Sequence, residues 1–211
     1  MPDLEKLNAA LIEGDWKTAA AVTRAALAAG VAPLAIVTGH LVPAMDEVGR
    51  LFECEEYFVP EMLLSARAMK ASMEIVRPLL AATGIEQVGR VVIGTVKGDL
   101  HDIGKNLVAA MLEGGGFEVI DLGADVAPEL FIEAASTRNA NLVALSALLT
   151  VTMPSMKTTI DAFQAAGVRQ RVKIMVGGAP VTQQYADAIG ADGYSDSAGS
   201  AVALARKLVA V

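Results

Sequence analysis

His101 stands between two carboxylates in the run Gly98-Asp99-Leu100-His101-Asp102-Ile103-Gly104-Lys105-Asn106. A neutral imidazole nitrogen is a good ligand for a transition metal. Its other ring N–H needs an acceptor to fix the tautomer. Nucleotide phosphate fits the run poorly. A dinucleotide fingerprint needs Gly-x-Gly-x-x-Gly so that backbone can approach a pyrophosphate, whereas Asp99 and Asp102 would repel one. Gly104-Lys105 looks like the end of a P-loop, but Asn106 replaces the Ser or Thr that would hold magnesium, and Gly98 lies one residue too far upstream. A plain structural reading also stands: His101 is an ordinary loop histidine, and the two aspartates cap a helix beginning near Ile103.

The elements around this run make it the turn of a βα unit. It follows the β-branched stretch Arg90-Val91-Val92-Ile93-Gly94-Thr95-Val96 and precedes Leu107-Val108-Ala109-Ala110-Met111-Leu112, which has the composition of a packed helix. In open α/β sheets ligands bind at such turns, beyond the carboxyl ends of the strands. From Val88 onward strands and helices alternate. Strands are expected at Val91 to Val96, Phe117 to Leu122, Leu142 to Leu148, Val172 to Val176 and near Gly193-Tyr194. Helices are expected at about 104 to 113, 128 to 138, 154 to 166, 181 to 189 and 197 to 209, with Pro128 and Pro154 in first turns. The expected fold class is α/β: a doubly wound, flavodoxin-like (Rossmann-like) five-stranded parallel sheet over residues 88–211.

Residues 1–87 read as an all-helical bundle. Leu4, Leu7, Leu11 and Ile12 repeat at helical spacing, Asp15 caps a second helix reaching Gly30, and a third runs from Pro33 past Met45 to Phe52. A fourth carries Pro60 in its first turn and Met62, Met69, Met73 and Val76 on one face, a stripe that reads as core packing. Pro78 and then Thr83-Gly84-Ile85-Glu86-Gln87 mark the boundary between the domains. His40 reads as a bundle residue, and Glu53, Glu55 and Glu56 as a solvated loop.

Small or hydroxylated residues end the later strands: Ser146-Ala147-Leu148 with Thr150, and Gly177-Gly178. They leave room for something long to enter beside His101. Taken together, Asp99-x-His101-x-x-Gly104, Ser146-x-Leu148 and Gly177-Gly178 resemble the three-part signature of cobalamin-binding domains that hold the cofactor with its own base displaced. Because a helical domain precedes them, the chain is similar to the corrinoid proteins of methyltransferase systems and to the cobalamin module of cobalamin-dependent methionine synthase. The resemblance covers nearly all of the sequence.

That resemblance implies a cofactor, roles and partners. The cofactor is cobalamin, a cobalt corrinoid, present as methylcobalamin in the loaded state. His101 is the lower axial ligand of cobalt, Asp99 the acceptor for its other nitrogen, and Ser146 the next member of the same hydrogen-bonded chain. A proton accompanies changes in cobalt coordination along this chain. Gly98, Leu100 and Asp102 belong to the loop that holds the ring; Gly104, Leu148, Thr150, Gly177 and Gly178 line the slot for the displaced tail, with Ala198 a further contact. Residues 1–87 form a cap, in which Phe58 shields the upper face; on the residues alone Phe58 equally well staples the start of its helix. The function implied is that of a methyl carrier, a non-autonomous subunit passing a methyl group from a substrate:corrinoid methyltransferase to a corrinoid:tetrahydrofolate or coenzyme M methyltransferase. A reductive activating protein completes the set. The cap must move to expose cobalt, so a mobile junction is expected near residues 80 to 90.

The competing classes each want something more. A cobalamin-dependent sensor, the alternative reading, wants a DNA-binding domain. A response-regulator receiver wants an aspartate where the third strand ends in Ser146 to Thr150, and an iron site from His101, His40 and an aspartate wants the two domains to meet suitably. The net charge of −7 argues against nucleic acid as a partner. With 54% hydrophobic and 19% charged residues over 211 positions, the chain is expected to be globular. Its longest apolar run, around Leu142 to Met153, falls short of the about 20 residues needed to cross a bilayer. Cys54 is the single cysteine and Met1 to Lys6 lack the pattern of a signal peptide, so a cytoplasmic protein without membrane contact is expected.

Overall fold

The computed structural model describes residues 3–82 and 88–210. The expected domain boundary at 83–87, and with it the centre of the expected mobile junction, lies outside the described residues. The chain divides into two compact units, one of residues up to 87 with Glu113–Gly116, the other of Val88–Leu112 and Phe117–Val211.

The first unit is helical: α1 (Leu4–Ile12), α2 (Trp16–Ala28), α3 (Pro33–Ile36), α4 (Val42–Glu53) and α5 (Val59–Ala82). Asp3 and Asp15 cap α1 and α2, their carboxylates accepting from Lys6 N and Thr18 N and so satisfying backbone donors that have no partner inside the helix. The third expected helix runs through Pro43 only by widening. Pro43 has no N–H and its ring crowds the preceding turn, and just before it the backbone takes a π turn, Val37–Leu41, before resuming as α4. α5 likewise continues past Pro78 to Ala82, where the sequence placed the end of the element. Met62, Met69 and Met73 are buried, as their spacing predicts. His40 Nδ1 lies 3.1 Å from Asn8 Oδ1 of α1, which makes it a bundle residue. The Tyr57 hydroxyl and Ser65 Oγ both donate to the Ile12 carbonyl, at 3.1 and 2.9 Å, closing the C-terminal end of α1.

The second unit alternates β1 (Arg90–Thr95), α6 (Ile103–Gly114), β2 (Glu118–Asp121), α7 (Pro128–Thr137), β3 (Leu142–Ser146), α8 (Pro154–Ala165), β4 (Lys173–Gly177), α9 (Gln183–Ile189), β5 (Gly193–Ser195) and α10 (Ala198–Val209). All strand pairs are parallel and the spatial order is β2-β1-β3-β4-β5, the flavodoxin-like arrangement. β1 and β3 are buried along almost their whole length because helices cover both faces of the sheet. Val92, Phe131, Val143, Ile160, Phe163 and Ile174 are among the residues filling the core beneath one face. Chain order reverses between β1 and β3, and there the loops after the two strands part to opposite faces, opening a crevice at the carboxyl end.

The methionine stripe gives a direct test of packing. Met69→Ala is expected to cost about 2–5 kcal/mol and Met69→Leu less than about 1.5 kcal/mol, read by urea unfolding of the full chain under far-ultraviolet circular dichroism. A penalty for leucine as large as that for alanine would give the thioether a role beyond filling space.

Candidate functional site

The motif fragments converge because the sheet register aligns them. Thr95 pairs with Ser146, Ser146 with Gly177, and Gly177 with Ser195, so four strands end in one row. Loops leave that row on either side of the crevice, and the loop after β1 meets the loop after β3 at the carboxylate of Asp99. This side chain is fully buried. Its Oδ1 accepts from the backbone N–H of His101 at 3.0 Å and from the His101 ring at 2.8 Å. Its Oδ2 accepts from Leu148 N at 2.8 Å and from the Thr152 hydroxyl at 2.6 Å, with Leu149 N at 3.4 Å. The bond from Thr95 Oγ1 to the His101 carbonyl, 2.9 Å, pins the other end of the loop.

Burial by itself pushes the Asp99 carboxyl up, but the Thr152 hydroxyl, the N–H groups of His101 and Leu148 and the His101 ring outweigh it and hold the group well below the usual carboxylate range. Asp99 is therefore ionised and can only accept. The proton in the contact with His101 must then sit on Nδ1, which in the neutral ring leaves the lone pair on Nε2. The ring is about half exposed, 49%, so a metal can approach it. Among the described residues no group of three or more His, Cys, Asp or Glu gathers that could hold a metal ion. A lone accessible imidazole suits a metal that brings its own ring of ligands.

The surroundings of His101 are apolar and open. Leu100, Ile103 and Val151 are exposed by 77, 77 and 80%, and Leu148 and Leu149 by about two-fifths, 43 and 42%. Exposed apolar side chains on the two loops that meet at Asp99 could seat a broad, largely apolar ligand. Gly104, at the start of α6, has open space where a side chain would stand. Asp102 and Thr150 are exposed in the two loops, and the Asp99 carboxylate, which the plain reading has capping the helix together with Asp102, is spent on His101, Leu148 and Thr152.

Ser146 was placed next in the chain from His101 and Asp99, but the hydroxyl that meets Asp99 is that of Thr152, six residues later. Ser146 ends β3, with its carbonyl accepting from Val96 N at 3.0 Å. Thr152 can reach Oδ2 because the chain turns back before α8; as a hydroxyl two residues ahead of a first-turn proline it carried a signal that spacing could have used. Gly178 has a structural role as well: at φ 132°, a Cβ there would lie 1.9 Å from the Ala147 carbonyl oxygen. Ala198 buries its side chain, so only its backbone, at the capped start of α10, could meet a ligand. Phe58, 63% exposed, precedes α5 and donates its N–H to Glu61 at 3.0 Å; a ring so exposed is not a staple. Spacing also missed Lys105, whose buried ammonium donates to Asp121 at the end of β2 and to Asn106 Oδ1, tying the start of α6 to the sheet.

A B12 binding domain family matches residues 89–203, and a second B12 binding domain family matches residues 3–77. The chain is 44% identical to trimethylamine corrinoid protein 2 of Methanosarcina mazei over 202 residues, 95% of this chain and 93% of that one. It belongs to the cobalamin-binding corrinoid proteins. The corrinoid-protein fold extends over the full length. A cobalamin-binding protein from Desulfitobacterium hafniense DCB-2 superposes with a TM-score of 0.80 at 31% identity, covering 99% of each chain. The methanol:cobalamin methyltransferase complex of Methanosarcina barkeri contains a chain that matches at a TM-score of 0.85 and 30% identity, over 98% of this chain and 79% of that one. The cofactor of this corrinoid protein is cobalamin. No described helix is long and apolar enough to cross a membrane.

Two measurements follow from the geometry. The Asp99 carboxyl is lowered on folding, so its contribution to stability is complete above the unfolded carboxylate range and is lost as pH falls through the folded value. Asp99→Asn should therefore cost on the order of 2 kcal/mol at pH 7, with the gap to wild type closing below about pH 4 in denaturant titrations. Gly178→Ala should cost more than about 3 kcal/mol, seen as a lowered melting temperature, because neither the Ala147 backbone nor a φ of 132° accommodates a methyl group.

Proposed function

We propose that this corrinoid protein is a methyl carrier that holds cobalamin with its own base displaced and His101 Nε2 as the lower axial ligand. The observation that carries the reading is the half-exposed His101 ring whose Nδ1 is tied to a buried, ionised Asp99. When bound, cobalamin supplies the cobalt to which a methyl group is transferred and from which it leaves. The protein supplies the rest. Asp99 Oδ1 holds the Nδ1 proton and keeps Nε2 available, and Thr152 with Leu148 N–H keeps Asp99 charged and in place. Leu100, Ile103, Leu148, Leu149 and Val151 provide an apolar seat that excludes water. Gly98, Asp102 and Ser146 frame the loops beneath it. Gly104 and Thr150, with Gly177, Gly178 and the Ala198 backbone at the ends of β4 and the start of α10, are the residues we assign to the displaced tail.

In this proposal residues 1–87 act as a cap for residues 88–211, and Phe58 covers the upper face, for which its exposed ring is suited. The donor arrives on a substrate:corrinoid methyltransferase, the class of partner present in the methanol:cobalamin methyltransferase complex of Methanosarcina barkeri. Relatives named for trimethylamine and dimethylamine favour a methylated amine as donor. The acceptor side is a corrinoid:tetrahydrofolate or coenzyme M methyltransferase, a reductive activating protein restores oxidised cofactor, and the set works in the cytoplasm.

The test is anaerobic reconstitution with cobalamin and electron paramagnetic resonance of the Co(II) form. Wild type should bind one cofactor and show a protein nitrogen on cobalt, and His101→Ala should bind it without that signal. Nitrogen splitting that survives in His101→Ala would defeat the assignment.

A further inference from the structure

The loop that carries His101 is gripped by a residue outside its motif. Asp125, in the turn after β2, has φ 55°, in the left-handed region that Asp and Asn enter more readily than other side-chain residues. Its carboxylate faces a single stretch of chain: Oδ1 accepts from Gly98 N at 2.8 Å and Oδ2 from the Lys97 ammonium at 3.0 Å. Its own N–H donates to the Asp99 carbonyl at 2.9 Å. One residue further on, Val126 N donates to the Thr95 carbonyl at 3.0 Å, and Val126 bridges to Val96, so the turn is anchored to the end of β1.

Asp125 thus holds the Gly98 amide from one side and the Asp99 carbonyl from the other. Gly98, at φ 88°, is the residue of the loop with the most backbone freedom, so the two bonds restrain the part of the loop least able to hold itself. The Asp99 side chain springs from this restrained segment and has five donors to meet, three of them on the far side of the crevice. A small rotation about Gly98 would carry Oδ1 away from the His101 ring.

We propose that Asp125 is a positioning residue for His101, setting through Gly98 and Asp99 where the imidazole stands. The proposal rests on the reading of His101 as the axial ligand. Two variants separate the carboxylate from the backbone conformation. Asp125→Gly accepts a left-handed φ and has no acceptor; Asp125→Asn tolerates the same φ and keeps an Oδ1 for Gly98 N.

The experiment has one arm without cofactor and one with it, both on the full chain, with far-ultraviolet circular dichroism to establish folding. In the apo protein, amide hydrogen exchange at Gly98 to His101 should speed up about fivefold in Asp125→Gly, the effect of losing a hydrogen bond of ordinary strength, and stay near wild type in Asp125→Asn. In the reconstituted Co(II) protein, the ratio of nitrogen-ligated to nitrogen-free cobalt should fall about tenfold in Asp125→Gly and recover in Asp125→Asn. Unchanged exchange, an unchanged ligation ratio, or an Asn variant that behaves like Gly would each overturn the proposal. A wild-type spectrum with no protein nitrogen would instead sink the ligand reading, and the apo exchange arm distinguishes that failure because it involves no cofactor.

Discussion

The arrangement depends on one charge taken out of water. Asp99 is fully buried and ionised, a state that would be prohibitive for a lone carboxylate. Five donors make it affordable, and they come from both sides of the crevice: two from His101 and three from the turn at Leu148, Leu149 and Thr152. Only a sheet that sets β1 and β3 side by side, with Thr95 opposite Ser146, brings those donors within reach of one another. The requirement for a satisfied Asp99 therefore constrains the strand order, the register and both loops together.

From this follows a division of labour between rigid and accessible groups. Polar atoms that orient the imidazole are internal: Thr95 is buried, Asp99 is buried, and Thr152 is nearly so. Groups that would meet a ligand are external and mostly apolar, with the exposed face of the His101 ring at their centre. A metal ligand whose orientation is fixed from behind loses little freedom on binding. The helical unit is built by different means. Capped helices around a methionine-rich core tolerate irregularities such as the π turn before Pro43 and the passage of α5 through Pro78, because side-chain packing rather than a directional ladder holds them.

The comparison of sequence with structure divides along sequence separation. His101 and Asp99 lie two residues apart in one turn, close enough for the motif they share with cobalamin-binding domains to point to their pairing. The apolar runs announced the strands to within a residue or two because a strand buried on both faces has little choice of composition. Thr152 and Asp125 were not legible as partners of that loop. They meet it across 53 and 27 residues, at places fixed by how far each neighbouring strand runs before it turns. Gly178 illustrates the same limit: spacing offered a slot for a ligand, and only the three-dimensional structure shows the Ala147 carbonyl standing where its side chain would be.

The amino-acid sequence by itself determined the class of fold, the alternation of strand and helix, the core-facing methionines and the histidine–aspartate pair, because each is written in local periodicity or in residues adjacent along the chain. Tertiary structure decided which hydroxyl holds Asp99, which carboxylate grips its loop and which glycine is needed by its neighbours. Those are contacts between strand ends remote in sequence, and hydrogen bonds that short form only where the register of the sheet delivers both partners to the same point.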